Sequence, residues 1–371
     1  MNPGSSPSQL RRRSRRSIKR SIVVTAAALG VFATSPAAGA YASGLPTLTC
    51  SARTLQVRIA DPGPADQSLW GQLCYLGGQE PGTVQLLVHG ATYNHLYWDF
   101  PYGGGYYSYV GTATAAGYAT FDVDRIGDGN SSHPPSAGLD LNAGAVALHD
   151  AVTALRSGAV DGHAFPHVIM VGHSIGSMEA WLEAARYHDE NAVIATGVLH
   201  EYSPNIGALQ STLYPAAGDP KFAGSGLDTG YLTTRPGTRG SSFYDPATAD
   251  PDVVAADEAN KDTVTLPELI GTNSIIGLPP NLPPAQQPSA QITVPVLSVV
   301  GQDDNLFCTG VTVYDCSSTQ TVQSFESQYY SPAAHLKVVV IAGTGHDLAL
   351  STTAPVTDAV MIGWSLSVIA P

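Results

Sequence analysis

His167-Val168-Ile169-Met170-Val171-Gly172-His173-Ser174-Ile175-Gly176 decides the fold. Its first half is a short, nearly continuous apolar run, the pattern of a strand buried on both faces. Directly behind it, Met178 to Arg186 has helix-compatible composition. Ser174 therefore falls on a sharp strand-to-helix turn, where the backbone is strained and the hydroxyl is pushed out beyond the sheet edge. Only small residues at the two glycine positions permit such a turn. The N–H groups that open the next helix have no intrahelical acceptor and face any negative charge that develops beside the serine. Ser174 is thus a candidate nucleophile.

Working outward, the same grammar repeats. Val84 to Val88, Tyr118 to Val123, Val168 to Val171, Val193 to Leu199, Val296 to Val300 and Leu336 to Ile341 are short apolar runs. Between or after them lie helix-compatible stretches at Leu141 to Leu155, Ser177 to Arg186 and Val356 to Val368, the last just after Pro355. Alternating strand and helix predicts a mainly parallel α/β sheet flanked by helices. Ahead of it, Leu48 to Ala60 and Ser68 to Leu76 flank the turn Asp61-Pro62-Gly63-Pro64 and predict an antiparallel hairpin. Residues 203–290 break the rhythm, being rich in Pro, Gly, Ser and Thr, with one helical segment at Asp252 to Asn260. This is too long for a plain loop, so it is expected to cap the site, with Phe243, Tyr244, Leu266, Leu269 and Ile270 packing downward and Pro279, Pro280, Pro283, Pro284 and Pro288 forming a stiff return.

The chain has 371 residues, enough for one large core. Residues 1–42 read as an export signal: basic Arg11 to Arg20, apolar Ile22 to Ala33, then small residues around Ala38-Gly39-Ala40 and Ala40-Tyr41-Ala42, where cleavage is expected. Ser14-Arg15-Arg16-Ser17-Ile18-Lys19 resembles a twin-arginine signal. Without this segment the chain keeps 10 basic against 30 acidic residues. So acidic a surface repels nucleic acid and anionic lipid, which favours a neutral, small-molecule substrate and no membrane anchor. Four cysteines in an exported chain suggest two local disulfides, Cys50 with Cys74 and Cys308 with Cys316.

Four separated segments resemble the α/β-hydrolase fold family, in the order that family uses, over about residues 75–371. They are Val88-His89-Gly90-Ala91, the turn Asp124-Arg125-Ile126-Gly127-Asp128-Gly129-Asn130-Ser131, the Ser174 elbow, and the pair Gly301-Gln302-Asp303-Asp304 with Gly343-Thr344-Gly345-His346. The resemblance implies a secreted, esterase- or lipase-like serine hydrolase. In it Ser174, Asp304 and His346 form the triad, the backbone N–H groups of Ala91 and Ile175 form the oxyanion hole, and the Asp124 turn is structural.

The chemistry agrees: a serine hydroxyl attacks a carbonyl poorly until an imidazole takes its proton, and the imidazole needs a carboxylate to fix its tautomer. His167 and His335 precede their strands and so lie some 20 Å from the carboxyl ends where such sheets build their sites. His89 and His173 sit in turn motifs, where packing is their expected duty. Glu201, beside His200, and Asp303 are rivals to Asp304 for the carboxylate. Tyr93, His95, Tyr97, Trp98, Phe100 and Tyr102 either line an acyl pocket or form a packed aromatic loop.

No metal or nucleotide motif is present in the sequence, so an enzyme without metal or cofactor is expected. The reading is cleavage of a carboxylic ester, with an apolar or aromatic group, through an acyl-enzyme. The alternatives on the same residues are an aminopeptidase, a perhydrolase or haloperoxidase, a lyase, or a binding protein that has lost catalysis.

Overall fold

The computed structural model describes residues 47–276, 282–310 and 314–371; the export segment 1–42, Pro279 and Pro280 lie outside them. Strands β1 (Leu48–Val57) and β2 (Gln67–Leu76) pair antiparallel, with Cys50 opposite Cys74 and bonded to it. Then come β3 (Thr83–Val88), α1 (Tyr109–Ala115), β4 (Ala119–Val123), α2 (Leu141–Ser157), β5 (His167–His173), α3 (Ile175–Tyr187) and β6 (Ala192–Thr196). An insertion follows, containing α4 (Ile206–Thr212), β7 (Leu213–Pro215), β8 (Tyr231–Thr234), α5 (Arg239–Phe243), α6 (Pro251–Asn260), β9 (Val264–Thr265) and α7 (Leu266–Ile275). The chain returns through β10 (Val296–Gly301), α8 (Thr319–Glu326), β11 (Lys337–Ile341) and α9 (Ala354–Val368).

The main sheet runs β1-β2-β4-β3-β5-β6-β10-β11 and is parallel from β4 onward. Its central strands are buried on both faces, with alternate residues feeding two cores. Val84, Leu86, Val168, Met170 and Val193 join α2 and α3 on one face. Leu87, Ile169, Val171, Ile194 and Leu297 join α1 and α9 on the other. This is the period-2 alternation of a strand, applied to a sheet covered on both sides.

Two expectations are corrected. The run Val193 to Leu199 is strand only to Thr196, because Gly197 turns to φ 60° and redirects the chain. In the insertion Phe243 and Tyr244 are buried, but Leu266 and Ile270 face solvent at 47% and 62% exposure. The insertion instead folds around its own three-stranded sheet, β7-β8-β9, with α7 begun by a capping box between Thr265 and Glu268. No helix among the described residues is long and apolar enough to cross a membrane.

Arg125 locks this arrangement. Fully buried, its guanidinium bonds both oxygens of Glu179 on α3 at 3.0 Å, approaches Asp128 at 3.5 Å and pairs with Glu268 on α7. One cation thus joins the turn after β4, the helix behind Ser174 and the insertion. Removing it leaves the buried Glu179 carboxylate without a partner, and Asp128 and Glu268 without a countercharge, so Arg125→Ala should lose about 3–5 kcal/mol of stability in urea unfolding. A loss below about 1 kcal/mol would show that the cluster does not hold the insertion to the sheet.

Candidate active site

Ser174 links β5 to α3 at φ 53°, ψ −119°, outside the regions a side-chain-bearing residue favours. Its neighbours make the turn possible. A Cβ on Gly176 would lie 2.5 Å from the carbonyl oxygens of Val88 and His89, and one on Gly172 2.5 Å from the Ser177 backbone. The end of β6 buttresses the turn, since the Ser174 N–H and the Ser177 hydroxyl both donate to the Thr196 carbonyl, at 2.8 and 3.0 Å.

Behind the turn lies His346, on the loop after β11. Its Nδ1 is 2.9 Å from Oδ2 of Asp304 on the loop after β10, and both residues are buried. Oδ1 of Asp304 accepts the Leu306 N–H at 2.8 Å. The Cys308–Cys316 disulfide closes the same loop a few residues on. Burial pulls the His346 pKa down, but the charge and hydrogen bond of Asp304, with Asp347 beside it, outweigh burial and hold it above the ordinary 6.5. The imidazole lies against Gly197, where an added Cβ would meet His346 at 3.3 Å and His173 at 2.6 Å. That crowding is why β6 gives way to a glycine here.

The rivals are accounted for. Glu201 accepts from the Tyr329 hydroxyl at 3.2 Å, and Asp303 faces Asp245. His89 is fixed between the Gly90 carbonyl and the Arg125 N–H, and burial pushes its pKa down to about 3. His173 is buried, stacks on Tyr97 at 4.2 Å and is held well below its ordinary pKa by burial and by His346. Both are neutral scaffolding. Of the aromatic segment after Ala91, Tyr93, Tyr97, Trp98 and Phe100 are packed into the core, so the packed-loop reading holds for them.

Ser174, Ala91 and Ile175 line one narrow pocket. Its remaining wall is largely apolar, with Met178, Leu209, Leu213, Leu269, Leu306 and Phe307, and no charged side chain among the described residues lines it. Among those residues the N–H groups of Ala91 and Ile175 donate no hydrogen bond within the protein, so both can receive a ligand oxygen. Leu209, Leu213 and Leu269 come from the insertion, which therefore forms the far wall.

Sequence reasoning missed a buried network beside the triad. Asp347 accepts from the Tyr93 hydroxyl, and its other oxygen is 3.7 Å from His173 Nε2. Arg239 of α5 lies over the Tyr93 ring at 4.1 Å, pairs with Asp257 at 2.7 Å and donates to the Thr92 hydroxyl at 2.9 Å. Thr92, next to Ala91, has φ 64°, so the insertion holds a strained residue of the oxyanion-side loop in place. Burial, against the pull of Arg239 and His346, raises the Asp347 pKa to about 6. The only sequence signal was an Asp directly after the catalytic candidate His346.

A second Ser-His-acid set also occurs. His200 Nδ1 is 2.7 Å from Glu326 and its Nε2 is 2.8 Å from Ser289, with the ring stacked on Trp181 and Tyr329. Here, however, all three members are fully buried and the Ser289 hydroxyl donates to the Tyr329 carbonyl. Substrate cannot reach it.

With a parallel sheet, a serine elbow and an acid–histidine pair at the strand carboxyl ends, the molecule has the architecture of a hydrolase. The chain belongs to the alpha/beta hydrolase family, whose model matches residues 85–359. Among solved structures it resembles an esterase from Thermogutta terrifontis (18% identity, 85% of this chain and 99% of that one, TM-score 0.56). It also resembles an epoxide hydrolase from Vigna radiata (16%, 86% and 98%, 0.54) and a bromoperoxidase from Bacillus anthracis (16%, 84% and 99%, 0.52). At such identities the likeness is one of fold. No curated protein matches the sequence.

The two Ser-His-acid sets make opposite predictions. Ser289→Ala should cost about 1–3 kcal/mol of stability through its lost buried hydrogen bonds while leaving hydrolysis of a chromogenic ester unchanged. If esterolysis disappears from a folded Ser289→Ala protein, the buried set is the working one.

Proposed function

We propose that the protein is an exported serine hydrolase that cleaves carboxylic esters of apolar acids through an acyl-enzyme. The observation that carries this reading is the pocket: Ser174 shares an uncharged, largely apolar pocket with Ala91 and Ile175, whose N–H groups donate to no protein acceptor among the described residues, while Asp304-bonded His346 lies 4.9 Å between ring centroids from His173, the residue before Ser174. In the reaction, His346 takes the proton of the Ser174 hydroxyl as the oxygen attacks the substrate carbonyl carbon. The resulting oxyanion is received by the N–H groups of Ala91 and Ile175, aided by the N-terminus of α3. His346 then gives its proton to the departing alkoxide, and a water deprotonated by the same imidazole releases the acid. Asp304 holds the ring in the required tautomer and stabilises its charged form.

The uncharged wall also bears on the alternatives. An aminopeptidase must hold a free substrate ammonium, and the pocket offers no carboxylate for it. In the proposed role the insertion caps the site, with residues 203–290 supplying the apolar wall that grips the acyl chain. Export is supported by the signal-like segment at Arg11 to Ala42 and by the two disulfides.

Ser174→Ala should abolish turnover of p-nitrophenyl esters and labelling by a fluorophosphonate, with an unchanged melting temperature; retained labelling would remove Ser174 from the role. Asp304→Asn should lower kcat by about 10³- to 10⁴-fold, far more than Glu201→Gln. The pH dependence follows from the raised His346 pKa. The base must be neutral, so kcat/KM should fall about tenfold per pH unit on the acid side, with a midpoint above 6.5. A flat profile from pH 5 to 8 in the folded protein would show that His346 is not the general base.

A further inference from the structure

We infer that His149, Glu183 and Asp189 form a binding site for one divalent transition-metal cation of the zinc type, away from the Ser174 pocket. The three come from different segments: the middle of α2, the later part of α3, and the loop that leads into β6. Glu183 is nine residues along α3 from Ser174, about 13 Å by helical rise. Nothing in the hydrolytic reading uses them.

The donor geometry suits a metal. His149 Nδ1 is 2.8 Å from an Asp189 oxygen and 3.8 Å from a Glu183 oxygen, and one donor atom from each of the three lies within 4.8 Å of the others. Ligands held about 2.1 Å from one tetrahedral ion are about 3.4 Å apart, which these separations bracket. The ring is kept in place by face-to-face stacking on Tyr187, 3.7 Å between centroids at 8°.

The second observation is Glu183 itself. Its side chain is fully buried, it points into the cluster, and neither oxygen has a hydrogen-bond donor. Glu190, also buried, comes against it with both oxygens likewise undonated. His149 Nδ1, although close to Asp189, is not aligned as a donor to it. Carboxylates in contact away from water need either a shared proton or a cation between them. Arg156, on the same side of the loop, donates elsewhere: to the Asp189 and Pro166 carbonyls and to the Asn191 side chain, at 2.6, 2.7 and 2.6 Å. One imidazole with carboxylate oxygens fits zinc or its transition-metal neighbours better than calcium or magnesium, which favour all-oxygen shells.

The sequence-based expectation of no metal missed this set because its members lie at 149, 183 and 189, a spacing that matches no motif. Such an ion would tie α2, α3 and the loop before β6 together.

The test is binding to the chain itself, read without any assay of hydrolysis. After dialysis against a chelator, ZnCl2 titrated at pH 7.5 should bind one per chain with Kd in the micromolar range or tighter and raise Tm by several degrees. X-ray absorption should show one imidazole nitrogen and oxygen ligands at about 2.0–2.1 Å. Glu183→Gln and, at the half-exposed edge of the site, Asp189→Asn should each weaken binding at least tenfold and abolish the Tm response. Absence of zinc binding, zinc binding unchanged in both variants, or tighter binding of calcium than of zinc would each overturn the inference. The first of these would leave a shared proton as the occupant.

Discussion

Helix α3 starts in direct contact with the carbonyl oxygens of Val88 and His89, and that contact exists because position 176 carries no side chain. From it follows the spacing of everything chemical. It brings Ala91, Ser174 and Ile175 to one pocket, together with the positive end of a 13-residue helix. The Ser174 backbone pays about 1–3 kcal/mol in strain, which persists only because the ends of β3, β5 and β6 leave the residue no other position. A methyl group at position 176 would have to push the start of α3 away from the end of β3.

Around that contact three cations, Arg125, Arg239 and Lys261, are buried. Arg125 meets Glu179, Asp128 and Glu268; Arg239 meets Asp257 and the Thr92 side chain; Lys261 meets Asp219 at 2.8 Å and Glu258 at 3.0 Å. In each case the pairing involves the insertion, either with the frame below or within itself. These three act as internal ties, while Arg186, Lys221, Arg235 and Lys337 stay exposed. These buried pairs specify one arrangement more than they add stability, since their desolvation largely offsets their attraction.

How much of this was legible in the sequence depended on locality. The strand runs, the elbow, the loops bearing Asp304 and His346 and the cysteine pairs are encoded within short stretches, and they occur in the structure as read. The end of β6 was misread because Val198 and Leu199 remain apolar after the backbone has turned; only the crowding of Gly197 by two histidines stops the strand. The insertion was hardest to read, because its helices are short or weakly amphipathic and its order comes from ion pairs between residues far apart in the chain. Leu266 and Ile270 illustrate the point, since apolar character alone did not tell which face of α7 meets the pocket. The Ser289-His200-Glu326 set carries the converse lesson: the right residue types in the right geometry signify little where solvent and substrate cannot enter.

The two sides of the pocket differ in how firmly they are held. Helix α7 is anchored through Glu268 to Arg125, and α5 through Arg239 to the Thr92 loop, but α4 buries none of its residues while presenting Leu209 and Gln210 to the pocket. One wall is rigid and the other compliant, because displacing α4 breaks no buried ion pair among the described residues and uncovers only Ile206 and Leu209, which are packed partly against the core. Under the proposed function, bulk in the acyl chain would be accommodated by a local yielding of residues 206–212, and not by a swing of the whole insertion. Discrimination between short and long acids would then be a matter of the stiffness of a two-turn helix.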